Sequence, residues 1–416
     1  LWARAMACEK DGVRWVMVSC DLVGTALWIT RRARAFVQEA TGIGPDGVMI
    51  HSTHTHSGPS TGNYIGWGAQ DEPYLQTLPR RIAAAAIAAV KDLAEAQVLH
   101  GEAPCEGIGY NREMDETGRS LDEVLAPGWR PSKPELTDTV CHVIRVDGPR
   151  GVRGFMSYFG CHPVVCCAET RWIHGDYCGV ATNLLEKENP GATGMFLQGA
   201  QGDVNACAVH KPELESLRAL DIIAARYAAA VRQALGNAKP VVIDRLATCR
   251  REMSFSRKPW DLEKLRAMLA EKEAFVTREA TSDDYNPGGG KDGVRMNTVY
   301  LTALRQLVDR GERGIAFEDP TDVHGLRLGP ALFVGSPFET FQSIKNDVKG
   351  RSPVPLTFVM SFCNDSIGYA TDRAAARRGG YAADMVPLIC GSRPFARIHD
   401  ELLDALSGLA KELMQG

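Results

Sequence analysis

No basic stripe, no apolar run of bilayer-spanning length and no Cys-x-x-Cys pair occurs in this 416-residue chain. Each absence removes a class of function. Lys plus Arg number 47 against 51 Asp plus Glu, with the two signs interspersed, so the concentrated positive surface that binds nucleic acid is missing. A membrane-crossing helix needs about 20 consecutive apolar residues, and none is present. Without Cys-x-x-Cys, the commonest frame of a purely structural zinc site is also missing.

The twelve cysteines are scattered, and the adjacent Cys166 and Cys167 are poorly placed to bridge one another. They read as buried thiols in a reducing compartment. No secretory signal opens the sequence, which points to the cytoplasm, although a first residue of Leu1 is equally compatible with a lost upstream segment. A hydrophobic fraction of 44% and a charged fraction of 24% are those of an ordinary globule. A small molecule is the expected partner, and a homo-oligomer is compatible with this composition.

Short apolar runs alternate with helical spacing. Trp15 to Cys20 and Gly47 to Ile50 predict buried strands, and Ala26 to Thr41 a helix between them. The Ala-rich stretch from Glu72 to Gln97 predicts another helix, with Pro79 marking its first turn or a break. Further strands are expected at Asp138 to Val146, Val152 to Phe159, Gly194 to Gln198, Val241 to Thr248, Ala331 to Val334 and Thr357 to Phe362. Helices are expected at Pro212 to Leu235, Trp260 to Glu279, Asn297 to Arg310 and from Ile398 onward, with a loop at Asn286 to Gly290. This pattern predicts an α/β fold: a single large domain over residues 1–416, with mixed central β-sheets flanked by helices.

The chemistry concentrates in His51 to Pro59, HSTHTHSGP, directly after the apolar run GVMI. Alternation on an extended chain aims His54 and His56 the same way, and a turn at Ser57-Gly58-Pro59 leaves them at a strand end, where α/β folds place ligands. A His-x-His pair offers two imidazoles to one metal, though spacing alone does not name the metal.

This segment resembles the THTHSGP motif of the neutral, non-lysosomal ceramidases, and further blocks follow in the family's order. Asn111-Arg112 lies in GYNREM, His162 in YFGCHPV, Asp176 in HGDYCG and Asp203 in QGAQGDVN. Glu339 closes LFVGSPFE, with Phe338 where the family has Gly, and Asn364 opens NDSIGY. The resemblance covers nearly the whole chain and implies a catalytic domain of that family without its C-terminal sandwich domain.

Carried over residue by residue, the resemblance implies zinc held by His54, His162, Glu339 and Tyr369, with an open position for an activated water. Read alone, His162 fits a satisfied core histidine better than a ligand, and Tyr369 fits a core residue with a hydrogen-bonded hydroxyl equally well. His56 is a candidate to orient the water or protonate a leaving amine. Arg112 reads as a clamp on a substrate oxygen or as a surface ion pair. Asp176 and Asp203 read as acceptors anchoring histidines or as turn caps, and Asn364 as a residue supporting the site. Tyr64 and Trp67, in TGNYIGW, together with Arg171-Trp172, are candidates to line the substrate pocket.

The family's serine nucleophile after Gly-Asp-Val is Asn205 here, and an amide forms no acyl intermediate. Direct attack by water is the mechanism this leaves, with Asn205 as a hydrogen-bond donor to the developing oxyanion. The expected function is hydrolysis of a non-peptide carbon–nitrogen bond in a small, polar amide other than ceramide. An esterase, lactonase or cyclic-amide hydrolase, or a silent relative that only binds a small molecule, is the alternative.

Overall fold

The computed structural model describes residues 1–62, 64–166, 169–280, 293–317 and 319–415. Cys167 and the expected loop at Asn286 to Gly290 lie outside them.

Three sheets meet at a common core, each combining antiparallel strands with one parallel addition. In the first, β1 (Ala3–Lys10) and β2 (Val13–Cys20) form an antiparallel pair and β3 (Val48–Ser52) joins β2 in parallel. The second contains β4 (Gln97–Pro104), β6 (Val140–Gly148) and β7 (Gly151–Phe159), antiparallel throughout. β8 (Thr193–Gln198) lies parallel to β7, and β10 (Lys239–Pro240) sits at the far edge. The third runs β11 (Leu246–Met253), β12 (Thr321–Leu328), β13 (Ala331–Gly335), then β15 (Thr357–Met360) parallel to β13. Two small pairs complete the set: β5 (Gly109–Asn111) with β9 (Val204–Ala206), and β14 (Glu339–Thr340) with β16 (Tyr369–Ala370).

A parallel neighbour needs a crossover, and each one here is a helix. Leu27–Thr41 links β2 to β3, Asp176–Glu188 lies between β7 and β8, and Gln342–Arg351 lies between β13 and β15. Period-two alternation then divides the central strands between two cores. Trp15 and Met17 of β2, Met156 and Tyr158 of β7, and Ala331 and Phe333 of β13 face the common core between the sheets. Their neighbours Val16 and Val18, Phe155 and Phe159, and Leu332 and Val334 face outward onto helices. The chemistry-bearing segments follow the C-terminal ends of β3, β7, β8, β13 and β15, where open α/β sheets leave room for a ligand.

Several expected boundaries differ. The helix after residue 71 spans Glu72–Lys91 and runs straight through Pro79, because Leu75, Leu78, Ile82 and Ala86 bury a continuous apolar stripe that outweighs one missing hydrogen bond. It ends before Gln97, which begins β4. The strand expected at Val241 to Thr248 lies further on, as β11, at the edge of its sheet, where Arg251 and Glu252 reach solvent. β12 is not legible in the sequence, because Asp322, His324 and Arg327 interrupt its apolar pattern. Buried, they are satisfied by Arg34 on Asp322 at 2.5 Å, the Asp46 carbonyl on His324 at 2.8 Å and the Gly329 carbonyl on Arg327 at 2.9 Å. Asp176 is the first residue of a helix. Cys20, Cys141, Cys161 and Cys178 are buried free thiols, and no helix among the described residues is long and apolar enough to cross a membrane.

Candidate functional site

His54 follows β3 in a left-handed conformation with φ of 69°, uncommon for a residue with a side chain and concentrated at functional sites. Backbone bonds from Thr53 N–H to the Cys20 carbonyl and from His54 N–H to the Leu22 carbonyl, both 2.9 Å, hold the turn. Its ring stacks on Phe362 at 4.1 Å between centroids, and its Nδ1 donates to the Val23 carbonyl at 2.6 Å. That bond fixes the tautomer: in the neutral ring, Nε2 carries a lone pair.

The same device operates on His162, beyond the end of β7. Its Nδ1 faces the Gln201 carbonyl at 2.6 Å and the Val204 carbonyl at 3.0 Å, again leaving Nε2 as an acceptor. That nitrogen lies 2.8 Å from Glu339 Oε2, and His54 Nε2 lies 3.5 Å from the same oxygen. Burial pushes His162 down to about 4. Burial also opposes the charge on Glu339, but His54 and His162 hold its carboxyl well below the usual range. With its Nδ1 spent on backbone carbonyls, the neutral His162 ring turns a lone pair toward the Glu339 carboxylate, a contact that a shared cation would satisfy. The donor set of two imidazoles and a carboxylate suits zinc by chemistry, so the residues present fit the metal that the family resemblance implies.

Glu339 and Tyr369 are fixed together, being directly paired across β14 and β16. Burial pushes the Tyr369 phenol well up while the Arg112 cation pulls it back. Arg112 donates to Tyr369 Oη at 2.8 Å, to the Gly202 carbonyl at 2.7 Å and to Asn205 Oδ1 at 3.2 Å. It directly follows β5, which pairs with β9 and so sets Tyr110 opposite Asn205. The surface ion-pair reading of Arg112 does not hold, since the fork points inward. His56 Nε2 lies 3.0 Å from His54 Nε2, and one ligand atom each from His54, His56 and His162 falls within 4.8 Å of the others. Burial and the neighbouring histidines hold His56 well below its ordinary value.

These side chains line a cavity of about 620 Å³ together with Tyr64 and Trp67. Five of the sequence candidates have other places: Arg171 and Trp172 do not line this cavity, and Asp203, Asp176 and Asn364 are spent on the framework. Asp203 spends its carboxylate on Asn111 Nδ2 and the Gln342 N–H, both at 2.9 Å, and burial pushes it up to about 6. Asp176 accepts from the backbone N–H groups of Cys166 and Tyr177, at 3.1 and 2.7 Å, and anchors a loop. Asn364 accepts from Ile50 N–H at 3.0 Å and so braces the strand that leads into His54. Phe338 fills apolar core between Phe255 and Phe395.

The cavity wall also contains His210, Arg295, Tyr381, Val386 and Ile389, which sequence reasoning missed because none sits in a motif. The segments carrying Tyr64 and Ile389 are tied by a backbone bond from Ile65 to Ile389 at 2.8 Å.

No protein-family model matches the chain, and no curated protein matches it in sequence. Solved structures match in shape. Neutral ceramidase from Pseudomonas aeruginosa aligns over 100% of this chain and 69% of its own, with a TM-score of 0.74 at 18% identity. A ceramidase complexed with C2 aligns over 100% and 70%, with a TM-score of 0.73 at 18% identity. The chain has the neutral ceramidase fold. In this neutral-ceramidase-like framework, five segments distant in sequence contribute His54, Arg112, His162, Glu339 and Tyr369 to one cavity wall.

Proposed function

We propose that residues 1–416 form one catalytic unit, a zinc-dependent hydrolase of a small, polar, non-peptide amide. The observation that supports this reading best is the convergence of His162 Nε2 and His54 Nε2 on Glu339 Oε2, at 2.8 and 3.5 Å, with both Nδ1 atoms committed to backbone carbonyls. His54, His162 and Glu339 would hold the ion, with Tyr369 Oη adjacent. When bound, zinc supplies Lewis acidity, polarising a carbonyl and bringing the pKa of water toward neutrality.

The remaining work falls to the chain's own groups. Arg112, held at Gly202 and Asn205, sets a fixed positive charge at the wall beside Tyr369, where negative charge develops on a carbonyl oxygen. With its Oδ1 engaged by Arg112 and its side chain also hydrogen-bonded to Tyr110, Asn205 has one further Nδ2 hydrogen to offer that same oxygen. His56 Nε2 takes a proton from the attacking water and returns it to the departing nitrogen. Asn205 forms no acyl intermediate, so water attacks directly.

A cavity of about 620 Å³ walled by Tyr64, Trp67, Tyr381 and Ile389, with Arg295 and His210 as polar points, suits a compact ligand with both an apolar face and polar groups. The test is chelation followed by metal analysis and assay on a panel of amides paired with matching esters. Stoichiometric zinc, activity lost on chelation and restored by zinc, and faster turnover of amides are expected. A metal-free preparation with full activity would refute the reading, and turnover confined to the esters would reassign the bond cleaved.

A further inference from the structure

Away from the cavity, a second place gathers imidazoles and a carboxylate. β4 and β6 run antiparallel with Glu102 opposite His142 and His100 opposite Ile144, so strand alternation sets His100, Glu102 and His142 together on one face. His100 Nε2 lies 3.3 Å from His142 Nδ1, and Glu102 Oε2 lies 3.4 Å from that same nitrogen. One ligand atom from each residue falls within 4.8 Å of the others. The two rings stack at 5.6 Å and 20°, and His142 is held edge-on against Phe358 at 5.7 Å. None of the three lines the catalytic cavity.

We propose that this cluster is a second transition-metal site, taking zinc or a similar borderline divalent cation through His100 Nε2, His142 Nδ1 and a Glu102 oxygen, with water completing the shell. A tetrahedral zinc ion with bonds of about 2.0–2.1 Å keeps its ligand atoms about 3.3 Å apart, which matches both measured contacts. A hydrogen bond between the two imidazoles also fits 3.3 Å, but it uses a proton that a cation displaces. His100 and His142 are half-buried and Glu102 is exposed, so the ion enters from solvent without opening the fold. The ligands ride on hydrogen-bonded strands, which fixes their spacing before the ion arrives. Because they come from both β4 and β6, an occupied site clips neighbouring strands of the second sheet together and stabilises the protein, with no role in hydrolysis.

The experiment uses the full chain without a purification tag, stripped by chelator, equilibrated with excess zinc, desalted and counted by elemental analysis. Two zinc ions per chain are expected for the wild type. One is expected for His100→Ala and for His142→Ala, and one for a His54→Ala/His162→Ala double variant. Glu102→Gln, a change at an exposed side chain that leaves the fold alone, weakens the second binding step by at least about tenfold. One zinc in the wild type that disappears in the double variant overturns the proposal, as do two that persist in His100→Ala and His142→Ala. One zinc that survives the double variant but not His142→Ala keeps this site and removes the catalytic one, so the two readings fail separately.

Discussion

Replacing Glu339 with glutamine should change stability in opposite directions with and without metal. In the metal-free protein at pH 8, His162 keeps its Nδ1 on the Gln201 and Val204 carbonyls and faces Glu339 Oε2 with Nε2 at 2.8 Å, and in the neutral ring this sets an acceptor against an acceptor. A glutamine amide turned toward His162 donates a hydrogen bond there and removes a buried charge, a gain of about 2 kcal/mol. The unfolding entropy of a chain of 416 residues is roughly 0.9 kcal/mol/K, so metal-free Glu339→Gln melts about 2 °C above metal-free wild type. Free zinc at a thousandfold over its Kd stabilises the wild type by about 4.1 kcal/mol, or about 5 °C. The variant, short of a carboxylate ligand, gains far less, and the order of the two melting temperatures reverses. Calorimetry in a His100→Ala background isolates the effect from the strand-pair site. A metal-free variant that melts below wild type, or an equal zinc-induced rise in both proteins, would refute the reasoning.

Arg112→Lys keeps the charge but loses the fork that spans Gly202, Asn205 and Tyr369. It should lower kcat/KM by about a hundredfold with zinc content unchanged, as steady-state kinetics and metal analysis will report. Asn205→Ala should lower kcat more than it raises KM, and rapid quench of the wild type should reveal no burst of released amine, since no acyl-enzyme accumulates. His51 is buried and accepts the Gln198 N–H at 2.9 Å, and burial pushes it down to about 3. Its folded pKa lies below the unfolded value near 6.5, so its contribution is whole above that pH and shrinks as pH falls toward 3, by about 2 kcal/mol at pH 5. His51→Gln should therefore flatten the fall in urea midpoint between pH 7 and pH 5.

The strands that form the common core were legible in the sequence because their alternation is carried by apolar residues: Trp15 and Met17 against Val16 and Val18, or Ala331 and Phe333 against Leu332 and Val334. β12 was illegible because its polar residues are neutralised by partners far away, such as Arg34, 288 positions from Asp322. The helix Gln342–Arg351 was hidden by its polar composition, its buried face reduced to Ile344, Val348 and a few polar residues. In the candidate site, the motif-bearing residues could be named from sequence. The groups that orient them could not, because they are backbone carbonyls: Val23 for His54, and Gln201 and Val204 for His162. Side-chain identity says nothing of a carbonyl. The same limit misplaced Asp203, whose type suited chemistry but whose partners, Asn111 and Gln342, make it a bracket behind the cavity.

The bond from Ile65 to Ile389 has a practical consequence for anyone redesigning selectivity. It couples two stretches of wall more than 300 residues apart, so an exchange of either one alone from a relative would break the seam between them. Libraries that vary both stretches together, leaving the histidine turn and the β14–β16 pair untouched, would sample new ligand shapes while sparing the reactive centre.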